Sequence, residues 1–427
     1  YLEHLMFKGT QRFGTTDYAA EAPLLARISD LYEEYRTLTD PAQRKAKYHE
    51  IDSVSQLAAK YNIPNEYDKM MSLIGSQGTN AYTSYDVTCY VEDIPSNEIE
   101  RWAILQADRF QNMVMRGFHT ELEAVYEEKN ITMTKDSRKV VEAMMRKLFP
   151  THSYGTQTTI GTQEHLKNPS QVNIRDYYNK YYRPNNVAIC MAGDLDPDKT
   201  IEIIEKYFGQ WQAGADISPR RFPEQPAYTT PQDTTVLGQE TESIILSWRM
   251  EGGASLQNDT IAMIDMLLSN GDVGLIDADL NQKMRCLEAG SGVWSLKDYS
   301  LFYLEGTPNE GQTLDDVREL LLGELEKIKL GQWDERLIKS IVENARLDEL
   351  RSLDNNRSRV SQMVDCYIND IPWQQQVQTL DRLERLKKQD IMLWAQRNLS
   401  RGYVCVYKKK GEDLSIVKID KPEITPI

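Results

Sequence analysis

Apolar residues recur at spacings of three and four over residues 23–35 and 44–61, and each stretch reads as a helix with one buried face. Thr39-Asp40-Pro41 lies between the two and supplies a helix start. A third helical pattern begins at Phe118 and runs through Glu128. Leu2, Leu5, Met6 and Phe7 make the opening segment helix-compatible as far as Gly9, a helix stop. Other stretches carry strand character. Asn80–Tyr90 alternates in part and holds the strand formers Tyr82, Thr83, Tyr85 and Tyr90. The short apolar runs Val187–Gly193 and Gly402–Lys408 each read as a strand entered from a helix end. Gln225–Thr235, rich in Pro, Thr and Gln, reads as a linker, and Lys421–Pro426 reads as an extended segment leading onward.

These elements occur twice in the same order. Thr88–Glu98 resembles Ser300–Glu310, each a strand, a Pro/Asn break and an amphipathic helix, with Tyr90 and Tyr303 213 residues apart. The helix after Phe118 matches the one after Trp333, and Cys190 matches Cys405, both at an offset of 215. Near the start the offset grows: Leu5–Gly9 resembles Leu267–Gly271 at 262. The excess implies an insertion of 49 residues in the first copy, which the two helical stretches within about 17–70 fit. The expected class is therefore α+β. Two homologous units stand in tandem, 1–225 and 226–427, each a mainly antiparallel sheet with helices packed on one face.

Composition narrows the function classes. The 427 residues carry 40% hydrophobic and 27% charged side chains and a net charge of −15. Nucleic acid is thus a poor partner, because phosphate binding needs a basic surface. No run of eighteen apolar residues exists to span a membrane. The five cysteines are scattered without a C-x-x-C pair, and Cys89, Cys190 and Cys405 sit in apolar runs as small buried hydrophobes.

All five histidines, His4, His49, His119, His152 and His165, fall in the first copy, so a histidine-bound metal would have one site there. A Glu3-His4 pair alone is more simply read as a satisfied, partly buried pair. Its apolar helical setting, however, disfavours unpaired charge. In the motif H-x-x-E-H the two histidines share a helix face and can reach one Zn²⁺, while the Glu can act on water as general base. Tyr1-Leu2-Glu3-His4 fits its last four positions, with the first histidine expected immediately before Tyr1. On the helix after Phe118, Glu121 and Glu128 lie two turns apart on one face. Glu128 suits a metal ligand and Glu121 a group behind it that orients a ligand; a solvated acidic face is the plainer reading. Asn80, Ala81 and Tyr82 open a strand that could pair with an extended peptide, or be an ordinary amphipathic strand. At the offset of 262, Glu3 and His4 become Asp265 and Met266, so the second copy is expected to lack the metal even though Glu343 matches Glu128.

Tyr1–Thr10 resembles the active-site helix of the insulinase/pitrilysin (inverzincin) family, and Glu121-x6-Glu128 its distal ligand helix. Gly78–Tyr90 resembles the family's strand that opens with Asn-Ala after a Gly-rich turn. Tyr154-Gly155, Arg183–Asn186 and Ala192–Asp194 also fit. His4 and Glu128 are 124 residues apart, longer than the family's usual spacing by about the inferred insertion. The resemblance implies the amino-terminal half of a zinc metalloendopeptidase that hydrolyses peptides or unfolded segments. Glu3 would be catalytic, His4 and Glu128 would bind one Zn²⁺, and Glu121 would stand behind them. Asn80, Ala81 and Tyr82 would contact the peptide. An opposing half, on the same polypeptide or a partner subunit, would close the chamber, and the bacterial periplasm or cell envelope is favoured. The competing class is a non-catalytic peptide-binding subunit or scaffold of the same fold.

Overall fold

The two helical stretches near the start form because each has a capped beginning and an apolar stripe. Helix α2, Tyr18–Thr37, follows Asp17, whose side chain accepts from Ala20 N. Helix α3, Pro41–Ala59, follows Asp40, which accepts from Gln43 N, with Pro41 at the first position. They pack against each other and bury Leu31, Tyr32, Tyr48 and Ile51. The computed structural model describes residues 1–271, 273–399 and 402–414; the segment expected to lead onward at Lys421–Pro426 lies outside the described residues.

The described chain folds as two units, Tyr1–Ile131 with Thr159–Arg221, and Thr132–Thr158 with the chain from Phe222 onward. In the first, the short helix α1, Leu2–Leu5, is followed by Gly9 at φ +103°. A Cβ at Gly9 would lie 2.4 Å from Phe13 O and 2.8 Å from Arg116 Nη1, so both the backbone angle and the space require glycine. Helix α4, Glu66–Leu73, leads to the antiparallel hairpin β1, Gly78–Thr83, and β2, Thr88–Asp93, with Ala81 opposite Tyr90. Helix α5, Ile99–Gln111, and helix α6, Phe118–Thr134, follow. Val187–Gly193, expected as a strand, enters no strand pairing among the described residues, although Val187 is extended at φ −127°, ψ 134°. Strand propensity sets the backbone region; a ladder also needs main-chain hydrogen bonds to a neighbouring strand.

The second unit holds a five-stranded sheet. Its strands are β3, Gln232–Gly238; β4, Ser243–Glu251; β5, Glu288–Ser295; β6, Tyr299–Thr307; and β7, Val404–Lys410. The order is β3-β7-β4-β6-β5, antiparallel except for the β3–β7 pair. Ile244, Leu246, Trp248 and Met250 alternate onto one face. They join Phe302, Leu304 and Cys405 and the apolar sides of helices Gln257–Leu268 and Leu314–Leu330 in one core. The α+β class is thus the observed one, with two corrections. The expected linker 225–235 overlaps β3: the β-branched run Thr234-Thr235-Val236 favours a strand over the loop that Pro231 and the glutamines indicate. Nor are helices confined to one face. Helix α7, Asp136–Leu148, covers part of the other, where Leu148 O accepts from Arg249 Nη1 at 2.6 Å and Asp136 pairs with buried Lys408 at 2.9 Å.

Candidate metal and peptide site

Helix α1 is four residues long, too short to hold itself, and packing fixes it. Leu5 and Met6 are fully buried, Tyr1 Oη donates to Phe118 O at 2.5 Å, and the Tyr1 ring meets Phe118 edge-on. The turn after it is tied down by Arg116, itself buried. Arg116 donates to Lys8 O at 2.8 Å and Thr10 O at 3.0 Å and grips Glu21 of α2 through two bonds of 2.7 and 2.8 Å. Helix α6 then brings its acidic face to α1.

His4 is the centre of what results. Its Nδ1 lies 2.6 Å from Glu121 Oε1, and its Nε2 lies 3.4 Å from Glu3 Oε2 and 3.5 Å from Glu128 Oε1. Glu128 is the α6 carboxylate at this distance, and it is half exposed, whereas Glu121 is largely buried. A carboxylate at Nδ1 calls for an N–H there, which leaves Nε2 as the ring's lone-pair nitrogen. The same hydrogen bond raises the His4 pKa. Burial alone would raise Glu121, but hydrogen bonds from His4 and from Lys8 Nζ, 2.5 Å away, hold it down at about 2. Lys8 was not singled out in the sequence. Its position four residues after His4, one helical turn on, was the available signal.

The donor set suits zinc in kind: a neutral imidazole nitrogen and a carboxylate oxygen. Two ligands at about 2.0–2.2 Å from one tetrahedral ion lie roughly 3.3–3.6 Å apart, and Nε2 and Oε1 are 3.5 Å apart. No group of three or more His, Cys, Asp or Glu able to hold a metal forms among the described residues. The candidate donors that lie together are His4 Nε2 and Glu128 Oε1, with Glu3 beside them.

Strand β1 packs beside α1. It pairs with β2 on one side, and no strand among the described residues covers its other edge. Asn80, Ala81 and Tyr82 sit on it, with Tyr82 47% exposed. Asn80 Oδ1 accepts from Ala81 N at 2.8 Å, so its side chain folds back onto its own strand. In the second unit the matching positions have other partners. Asp265 accepts from Ser291 Oγ at 2.5 Å, and Glu343 lies 3.7 Å from Lys339.

Comparison with known proteins follows this geometry. Residues 171–344 match the family profile described as the Peptidase M16 inactive domain. The "Zinc protease PqqE" of Helicobacter pylori is 21% identical over 76% of this chain and 74% of its own length. The chain is thus similar to peptidases of the M16 family. The M16 fold is shared with a protease from Helicobacter pylori, with TM-score 0.74 and 20% identity over 81% of this chain and 85% of that one. It is shared too with the first half of the periplasmic protease PqqL from Escherichia coli, with TM-score 0.67 and 15% identity over 95% and 81%. None of the candidate residues, from Glu3 to Glu128, lies in the stretch that matches the inactive domain.

Proposed function

We propose that this chain is the metal-bearing half of a zinc-dependent endopeptidase acting on peptides or unfolded segments. The observation that carries the reading is the pair His4 Nε2 and Glu128 Oε1, 3.5 Å apart, with Nδ1 already committed to Glu121. His4 and Glu128 would hold the ion with a histidine ahead of Tyr1. When bound, Zn²⁺ polarises water and the scissile carbonyl. Glu3, next to His4 Nε2, takes the water's proton and returns it to the leaving amine. The uncovered edge of β1 takes the peptide main chain as an added strand, which reads backbone rather than side chains. The metal-bearing unit would run over 1–225 and a metal-free copy over 226–427, with an opposing half closing the chamber. The likeness to the first half of PqqL supports that division and a cell-envelope location. No helix among the described residues is long and apolar enough to cross a membrane.

A second reading, a peptide-binding subunit without catalysis, draws on the match to an inactive domain. Zinc stoichiometry and peptide hydrolysis of the full-length protein, before and after chelation, separate the two. One zinc per chain, with activity lost to chelator and restored by zinc, supports the peptidase. Peptide binding at wild-type strength with neither zinc nor turnover establishes the scaffold.

A further inference from the structure

Around His4 stand three carboxylates, Glu3, Glu121 and Glu128, and one of them is used twice over. Glu121 accepts from His4 Nδ1 on Oε1 and from Lys8 Nζ on Oε2, at 2.6 and 2.5 Å. Its side chain is 11% exposed, so water does little to solvate either oxygen. A carboxylate in such a place keeps its charge and its orientation only while both oxygens are engaged.

Lys8 is built to supply that second bond. Its backbone is held on two sides: N–H donates to Leu5 O at 3.0 Å and the carbonyl accepts from Arg116 Nη1 at 2.8 Å. The flanking Gly9 and Gly14 let the turn close around the Arg116 guanidinium, because a Cβ on either would come within 2.8 Å of Nη1. The stem thus starts from a fixed point, and a flexible side chain loses less freedom on reaching Glu121 than it would from a mobile loop. The side chain passes along the wall of a cavity of about 200 Å³ that Thr120, Phe118 and His119 of α6 also line.

We infer that Lys8 is a positioning residue: its ammonium holds the Glu121 carboxylate so that Glu121 fixes the His4 ring with Nε2 toward Glu128. The inference rests on the peptidase reading above, in which His4 Nε2 is a metal ligand. Its consequence is that Lys8 acts on zinc through Glu121 and by no other route.

The test uses full-length protein and four variants, Lys8→Met, Lys8→Arg, Glu121→Gln and the double Lys8→Met/Glu121→Gln. Zinc affinity is measured by competition with a chromophoric chelator, alongside kcat and KM at saturating zinc and thermal unfolding of the zinc-free forms. Loss of a partner behind a metal ligand typically weakens binding ~10–100-fold. Lys8→Met is expected to fall in that range and to lower kcat with KM little changed. Lys8→Arg, which keeps a cation in reach, should recover most of both. The double variant should bind zinc no more weakly than Glu121→Gln alone, since the two act in series. If Lys8→Met proves unstable, Lys8→Gln, which retains a donor without the charge, takes its place. An affinity within threefold of wild type in the Met variant overturns the inference, as does a double variant whose loss is the product of the two singles. Wild-type protein that binds no zinc, or whose zinc survives His4→Ala and Glu128→Ala unchanged, sinks the peptidase reading itself. A Lys8 effect confined to unfolding temperature leaves that reading standing and removes only this one.

Discussion

At the scale of single residues, Glu3 and Glu128 lie at nearly equal distances from His4 Nε2, 3.4 and 3.5 Å, yet they are held differently. Glu3 shares the four-residue helix α1 with His4, whereas Glu128 reaches in from α6. A group beside the ligand on its own helix suits proton transfer; one arriving from a second helix closes a coordination shell. Glu3→Gln is therefore expected to retain zinc and lose hydrolysis by ~10²–10⁴ in kcat, because a carboxamide cannot accept the proton. Full activity of the zinc-loaded variant rules the base assignment out. Glu128→Gln should instead weaken zinc, while Glu127→Ala should not. Competition with a chelator reads both, and equal losses would place the register one residue off. The helix period was enough to single out Glu121 and Glu128. It was not enough to single out Lys8 or Arg116, because what matters about them is where their side chains end after a turn whose path only the fold sets.

The helical hairpin α2–α3, Tyr18–Ala59, raises a question at the scale of elements: what it does for α6. Its aromatic side chains close over His119, the residue next to the one that starts α6. Tyr32 Oη lies 2.7 Å from His119 Nδ1, the Tyr48 ring centroid is 4.9 Å from the imidazole, and Asp52 Oδ1 is 3.4 Å from Nε2. Burial lowers the His119 pKa to about 4 against the opposing pull of Asp52. The unfolded chain titrates near about 6.5. Between those values the unfolded state carries a proton that the folded state refuses, so stability is present above about 6.5 and declines as pH falls toward 4. The urea midpoint of wild-type protein should accordingly drop between pH 7.5 and 5 by more than that of His119→Phe. Parallel drops would mean that the imidazole is not held neutral. Glu21 and Arg116 tie α2 to the turn after α1 as a fully buried pair. Removing one partner from such a pair costs ~3–5 kcal/mol. Arg116→Met should therefore unfold the first unit well below the wild-type temperature, and a loss under about 1 kcal/mol would contradict the pairing. The hairpin itself was readable from apolar spacing and the Asp40-Pro41 start. Strand β3 was not, because threonine and glutamine look alike in a loop and on a half-exposed strand whose burial alternates.

At the scale of the whole molecule, the first unit carries a two-stranded sheet and the second a five-stranded one among the described residues. The strand, break and helix that the matched offsets mark in each half of the sequence are present as β2 with α5 and as β6 with helix Leu314–Leu330. The order of strands in the second sheet was not visible, because pairing between β3 and β7, at opposite ends of that unit's sequence, leaves no local mark. The last prediction belongs to this scale. Hydrolysis needs a base, a metal and donors aimed at the oxyanion, and loss of one such donor costs ~10²–10³ in rate. Four arginine and tyrosine side chains near α1 are engaged elsewhere. Arg116 is held by Glu21 and by backbone carbonyls, Tyr1 Oη by Phe118 O, and Tyr90 Oη by Tyr182 Oη at 2.9 Å. Arg109 is fully buried against the rings of Phe7, Tyr67 and Tyr90. None can turn toward a peptide on β1 without breaking those bonds. On the peptidase reading, the donors would come from an opposing half. The 427-residue chain alone, even with zinc and a histidine restored ahead of Tyr1, is therefore expected to cleave an unstructured peptide at least ~10²-fold more slowly than when the opposing half is added in trans. Equal turnover with and without that half would show that this chain completes its own oxyanion site and that two halves are not needed.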